Sequence, residues 1–173
     1  MAIYFAFGAF ETYLPVYLQK QGIPAYQTGL IFSLQILAIA LSKPLFGKLS
    51  DNIDRRIQIL GGIIILGISI AIIPIIPGII PVILIGVLFG FALSLSTVAT
   101  STYVADISKK ENLGGSLGAL SSIMDIGHST GPLITGMIIA AYSIKAGFLV
   151  SLFVCGLSAI YFFLVTSSKR TRK

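Results

Sequence analysis

Six long apolar runs, separated by short stretches that hold most of the charge, order this chain of 173 residues. They fall at about 3–18, 26–46, 57–76, 79–103, 114–142 and 146–166, each near the ~20 residues needed to cross a ~30 Å hydrocarbon core. None shows the alternation of apolar and polar positions that a barrel strand needs, and a segment in lipid must close its own backbone hydrogen bonds. The pattern therefore predicts an all-α membrane protein: a single bundle of six transmembrane helices over residues 1–173, with a basic tail at 167–173. The third and fourth runs form the clearest pair. No charged residue occurs from Ile57 to Ala105, and Pro74, Pro77, Gly78 and Pro81 mark a tight helical hairpin between them. The first run carries Glu11 and Pro15; with neither a basic leading region nor a small-residue cleavage site, it reads as a retained helix, not a signal peptide.

Composition agrees with this reading. A hydrophobic share of 55%, a charged share of 10% and a mean hydropathy of +0.97 lie far from a water-soluble globule. The net charge of +6 would suggest nucleic acid if its placement did not explain it. Assigning alternate loops to opposite sides puts Lys43, Lys48, Arg55, Arg56, Lys109, Lys110, Lys169, Arg170, Arg172 and Lys173 on one side and only Lys20 and Lys145 on the other. By the positive-inside rule the richer side, with both termini, is cytoplasmic, and the bilayer is the partner of this charge. Lone Cys155, between Val154 and Gly156, has no intrachain disulfide partner and reads as a buried small hydrophobe. Polar groups concentrate in the loops, with no metal-ligand cluster, phosphate-binding glycine loop or nucleophile–base pair. An enzyme is not expected, nor a cofactor.

Two polar stretches remain. The loop GKLSDNIDRRIQI begins at Gly47, where a close helix approach is possible; Asp51 can cap the following helix, and Arg55 and Arg56 can reach carboxylates or helix C-termini. The pattern Gly47, Leu49, Asp51, Arg55, Arg56 resembles the loop signature between the second and third helices of each half of the major facilitator superfamily, departing at Asp54 where that family usually has glycine. The resemblance implies a gating role for Gly47, Asp51, Arg55 and Arg56 in a cytoplasmic charge network that breaks as the transporter turns inward. Asp106, at the end of the fourth run, is the expected source of a partner for Arg55.

In the fifth run, SSIMDIGHSTGP holds Asp125 and the only histidine, His128. Separated by three residues, they project from nearly one helix face and can share a water, a proton or a substrate group. A charged Asp at mid-span costs about 2.5–3.5 kcal/mol on insertion scales, so the pair should face a cavity or another helix. Glu11 raises the same argument in the first run. Glu11, Asp125 and His128 form the candidate substrate- and proton-binding set; the alternative is a purely structural bond between Asp125 and His128. Tyr4, Tyr13, Tyr17 and Tyr26 suit interfacial belts, with a ligand cavity as the alternative, and Lys43 beside Pro44 suits a snorkelling anchor. Gly118, Gly127, Gly131, Pro132 and Gly136 supply small residues for close helix packing, and Pro132 frees a backbone carbonyl. Their spacing is similar to the fifth-helix motif of facilitator antiporters, with Thr135 in place of one glycine.

The resemblance extends over almost the whole chain and implies one half of a twelve-helix transporter, most like the C-terminal half. The expected function is secondary active transport of a small organic solute, as proton-coupled efflux or antiport, once paired with another six-helix half on a separate chain or in a homodimer. The alternative is a non-transporting remnant or membrane assembly partner.

Overall fold

A computed structural model describes the backbone of residues 1–168 and the side chains of all of these except Asp51, Asn52 and Ser168; the tail charges Lys169, Arg170, Arg172 and Lys173 lie outside the described residues. Six long helices account for nearly all of it: α1 (Ala2–Lys20), α2 (Ala25–Asn52), α3 (Arg55–Ile72), α4 (Ile79–Ile107), α5 (Leu113–Ala141) and α6 (Ile144–Ser168), with one short 3₁₀ turn at Lys110–Asn112. Four of them, α2, α3, α4 and α6, are long and apolar enough to cross a membrane by length and composition. The other two, α1 and α5, carry Glu11, Asp125 and His128.

The helices run alternately up and down. Met1, Ile59, Tyr103 and Phe162 line one cavity, so the start of α1 and α3 and the finish of α4 and α6 share an end. Tyr17, Pro24, Pro77 and Val82 line another, which places the α1–α2 and α3–α4 turns at the opposite end. The first of these is the basic end, carrying Arg55, Arg56 and Lys109.

Helix limits differ most from the hydrophobic runs in α2 and α3, and α4 runs on from residue 103 to Ile107. Helix α2 continues about one and a half turns past residue 46 to Asn52, so most of the expected loop is helix. Helix α3 begins earlier, at Arg55, and stops at Ile72, ahead of Pro74, whose ring and missing N–H end an i→i−4 ladder. The α3–α4 connection closes through Gly78 at φ 94°, a left-handed conformation that suits a residue without Cβ.

The core forms where aromatic and branched side chains of α1, α3, α4 and α6 meet. Phe10 stacks on Phe89 at 4.3 Å between ring centroids, and Phe32 meets Phe10 edge-on; Leu14, Leu66, Ile70 and Phe148 are fully enclosed around them. Elsewhere small residues let backbones approach. Gly62 lies against Ala92 and Ser96, Gly67 against Leu152 and Cys155, and Gly90 against Gln35. Cys155 is buried in the α3–α6 contact, a small apolar filler. Large apolar side chains also cover the outside, among them Leu37, Leu41, Leu133, Phe153 and Leu164. Water would penalise such a surface and acyl chains do not.

Candidate functional site

Helices α1 and α5 pack side by side and parallel. Met1 lies against Gly127, Phe5 against Gly131 and Tyr13 against Gly136, so the register advances together along both helices. A Cβ on Gly131 would stand 3.0 Å from the Cα and the carbonyl carbon of Phe5, closer than the 3.5–4.0 Å of ordinary carbon contacts. Gly8 opposes His128 and Pro132 in the same seam. Pro132 has no N–H for the carbonyl of His128 four residues back, and that carbonyl turns towards Gly8. Tyr13 crosses the seam as well, its hydroxyl donating to the carbonyl of Pro132 at 2.9 Å. Tyr13 is therefore an interhelical strut and not the interfacial belt residue expected from sequence.

Gly118 departs from the packing expectation. No atom lies within 4 Å of where its Cβ would be. At Gly47 likewise, no atom of another segment among the described residues lies within 4 Å of where a Cβ would be.

This register brings Glu11 to His128. Glu11 lies about 14 Å along α1, close to its middle, and its Oε2 is 3.0 Å from His128 Nε2. An ionised carboxylate only accepts hydrogen bonds, so Nε2 carries the proton when Glu11 is charged. Tyr4 and Phe7 stand on the same α1 face as Glu11, seven and four residues before it. The Phe7 ring is 5.3 Å from the imidazole and the Tyr4 ring meets it edge-on at 6.4 Å. Both members of the pair remain open: the side chains are 52% exposed for Glu11 and 42% for His128. Asp125, a turn earlier on α5, is exposed. Among the described residues it forms no ion pair, so the local Asp125–His128 bond weighed from sequence gives way to a contact between residues 117 positions apart. Chemically, the result is a carboxylate and an imidazole sharing one proton, with a second carboxylate nearby and an aromatic wall behind.

The basic end holds a second group. Arg55, in the first turn of α3, forms an ion pair with Asp106 in the last turn of α4. Arg56 turns the other way: its Nη1 donates to the Thr166 carbonyl of α6 at 3.0 Å, and its guanidinium lies 5.9 Å from the centre of the Tyr103 ring. The cap expected of Asp51 belongs to Asp54, whose Oδ1 accepts from the Arg56 N–H at 2.9 Å. Asp51 sits in the final turn of α2, which runs on to Asn52, and its side chain lies outside the described ones. The departure at Asp54 thus supplies the N-cap of α3.

Gln58 carries structure that the sequence reading passed over. Its Oε1 accepts from Ser50 at 2.9 Å, and its Nε2 donates to the carbonyls of Ile53 at 3.0 Å and Leu49 at 3.3 Å, satisfying the frayed end of α2. A single amide in the otherwise aliphatic run from Ile57 to Leu60 was the available signal. Among the described residues no group of three or more His, Cys, Asp or Glu side chains is placed to hold a metal ion.

The family model described as "Major Facilitator Superfamily" matches residues 1–173. Among curated proteins, a multidrug resistance protein MdtG of Proteus mirabilis is 27% identical over 164 residues, 90% of this chain and 40% of the relative. MdtG of Rahnella is 26% identical over 165 residues, covering 91% and 40%. An uncharacterized MFS-type transporter of Methanocaldococcus jannaschii is 26% identical over 153 residues, covering 88% and 39%. The chain thus spans about 40% of the length of these relatives. Six long helices in an alternating bundle, four of them apolar enough to cross a membrane, and a match over every residue lead to one placement: the chain belongs to the major facilitator superfamily.

Proposed function

We infer that this chain works as one six-helix half of a secondary active transporter, moving a small organic solute out of the cell in exchange for protons when joined to another six-helix half. The observation that carries this reading is the Glu11–His128 contact. It is an ionisable pair midway along two packed membrane helices, and this chain leaves it half uncovered. Groups of that kind in a membrane face a water-filled path or a partner, since lipid would penalise them. Glu11 and His128 would hold and release the coupling proton, with Asp125 as the second carboxylate and Tyr4 and Phe7 as the wall against which a solute rests. The uncovered face is where the second half would seat, whether a separate chain or a second copy.

At the basic end, taken as cytoplasmic from its Lys and Arg excess, the Arg55–Asp106 pair holds α3 to α4. Breaking it would release that edge as the halves rock, with Gly47, Asp51 and Arg56 in the same gate. The relatives named for multidrug resistance support an efflux substrate.

The test is proton-gradient-driven uptake into proteoliposomes over a panel of drugs, sugars and organic anions, with the chain alone and with a six-helix partner. Transport is expected in the paired form, with coupling lost in Glu11→Gln and Asp125→Asn. Transport that keeps full coupling in both variants would remove the proton assignment. No transport in any pairing would leave a membrane assembly partner as the function.

A further inference from the structure

Away from the basic end, the α1–α2 and α3–α4 turns stand over a pocket of about 340 Å³ that neither the ionisable pair nor the Arg55–Asp106 contact uses. The volume is within the range of pockets that enclose a small ligand. Met1 and the last turn of α6 both lie at the opposite end of the bundle. The two turns form the walls. Gly22 at φ 75° and Gly78 at φ 94° reverse the chain in a conformation that side chains resist, and neither brings a Cβ to the mouth. The first turn is fastened by the Ile23 N–H, which donates to the Leu18 carbonyl at 3.0 Å.

Leu18, Ile79 and Val82 give the pocket an apolar floor. Its polar side chains come from one side. Tyr17 and Gln21, four residues apart at the end of α1, share a face, and Gln27 reaches in from the first turn of α2. Gln27 Nε2 donates to the Tyr26 hydroxyl at 3.2 Å, which leaves its Oε1 as an acceptor. Among the described residues, the Tyr17 hydroxyl and the side-chain amide of Gln21 have no hydrogen-bond partner. A phenol and an amide each donate and accept. No lining side chain is charged at neutral pH, and an ion taken out of water without a partner would be penalised. The ligand that fits is uncharged, with hydroxyls along one edge and a carbon face for the apolar floor. A pyranose ring has both.

We propose that this pocket binds an uncharged pyranose, as a free sugar or the sugar headgroup of a glycolipid, with its hydroxyls on Tyr17, Gln21 and Gln27 and its carbon face on Leu18, Ile79 and Val82. Tyr17 then takes the cavity role weighed for it against an interfacial belt. The site is separate from the Glu11–His128 pair and does not depend on the transport reading.

The chain has no tryptophan, so Ile76→Trp in the pocket wall gives a single fluorescent reporter. The reporter chain in phosphatidylcholine nanodiscs is titrated with methyl β-glucopyranoside, and in parallel with monoglucosyl diacylglycerol against plain diacylglycerol. A saturable emission shift is expected: with the free glycoside if the ligand is a free sugar, with the glucolipid alone if it is a headgroup. In that background Tyr17→Phe and Gln21→Leu should each weaken binding about fivefold, the effect of one hydrogen bond. Methyl β-glucuronide, the same ring with a carboxylate, should bind about tenfold more weakly than the glucoside. Gln19→Leu, on α1 outside the pocket, should change nothing. If Ile76→Trp opens buried Cys155 to maleimide, the unsubstituted chain is titrated by saturation-transfer NMR instead. The proposal is overturned if neither glucoside nor glucolipid shifts the signal, if the glucuronide binds as tightly as the glucoside, or if Gln19→Leu weakens binding as much as Gln21→Leu.

Discussion

Gly131→Ala tests the packing on which the Glu11–His128 contact depends. The added Cβ would meet the Phe5 backbone at 3.0 Å from two carbons, and nearer still to the carbonyl oxygen. Backbone atoms of two long helices cannot swing aside as a side chain tip does. Restoring 3.5–4.0 Å requires α1 and α5 to part by about 0.5–1 Å, a gap that forfeits a quarter to a half of the dispersion well for each contact along the seam. Overpacking of this kind costs about 1–3 kcal/mol, and two backbones place it near the upper figure. Alanine returns about 1 kcal/mol through helix propensity. The net loss is about 2 kcal/mol, or a melting temperature lower by about 4–8 °C for a chain of this size. Cys155 supplies the assay, because the only thiol is fully buried and reacts with a fluorogenic maleimide as the bundle opens. Gly118→Ala on the same helix is the control: nothing surrounds that position, so propensity alone should hold or raise the melting temperature. A Gly131→Ala protein that melts within 1 °C of the parent, or a Gly118→Ala protein that falls equally far, would refute the parallel α1–α5 seam.

Other changes probe the basic end. Asp54→Ala removes the acceptor of the Arg56 N–H and should cost about 1 kcal/mol, a fall of about 2–4 °C in the same thiol assay. Gln58→Leu strips the donor from the Leu49 and Ile53 carbonyls and leaves buried Ser50 without its acceptor; about 1–3 kcal/mol is expected, with faster amide exchange in the last turn of α2. Arg55→Gln should alter stability by less than about 1 kcal/mol, because Asp106 is half exposed, yet hasten amide exchange at the α4 terminus. The exchanged pair Arg55→Asp with Asp106→Arg should restore the slower rate; a double variant that stays fast would show that the ion pair does not hold α3 to α4.

Much of the architecture was legible in the chain itself. Lipid solvates no backbone polar group, so runs of some twenty apolar residues have few alternatives to helices, and the Pro and Gly cluster between Pro74 and Pro81 has few alternatives to a turn. Arg55 and Asp106 could be paired in advance because both sit at helix ends on one side of an alternating bundle. Helix limits were less readable. The apolar run of the second helix fades near residue 46, whereas the helix itself ends only where Asp54 starts the next one and Gln58 ties down its last carbonyls.

The partner of His128 belonged to the tertiary structure alone. Spacing along one helix offers Asp125 three residues away, and every local rule favours it. Glu11 is closer in space because Gly127 and Gly131 admit the α1 backbone at a fixed register, which delivers one particular turn of α1 to the imidazole. The same register lays Tyr13 on Pro132. Hydropathy along the chain determined which segments enter the membrane, since that depends on each segment and its solvent. Which polar groups meet within it depends on where two helices come closest, and that is set by missing side chains at positions far apart in sequence.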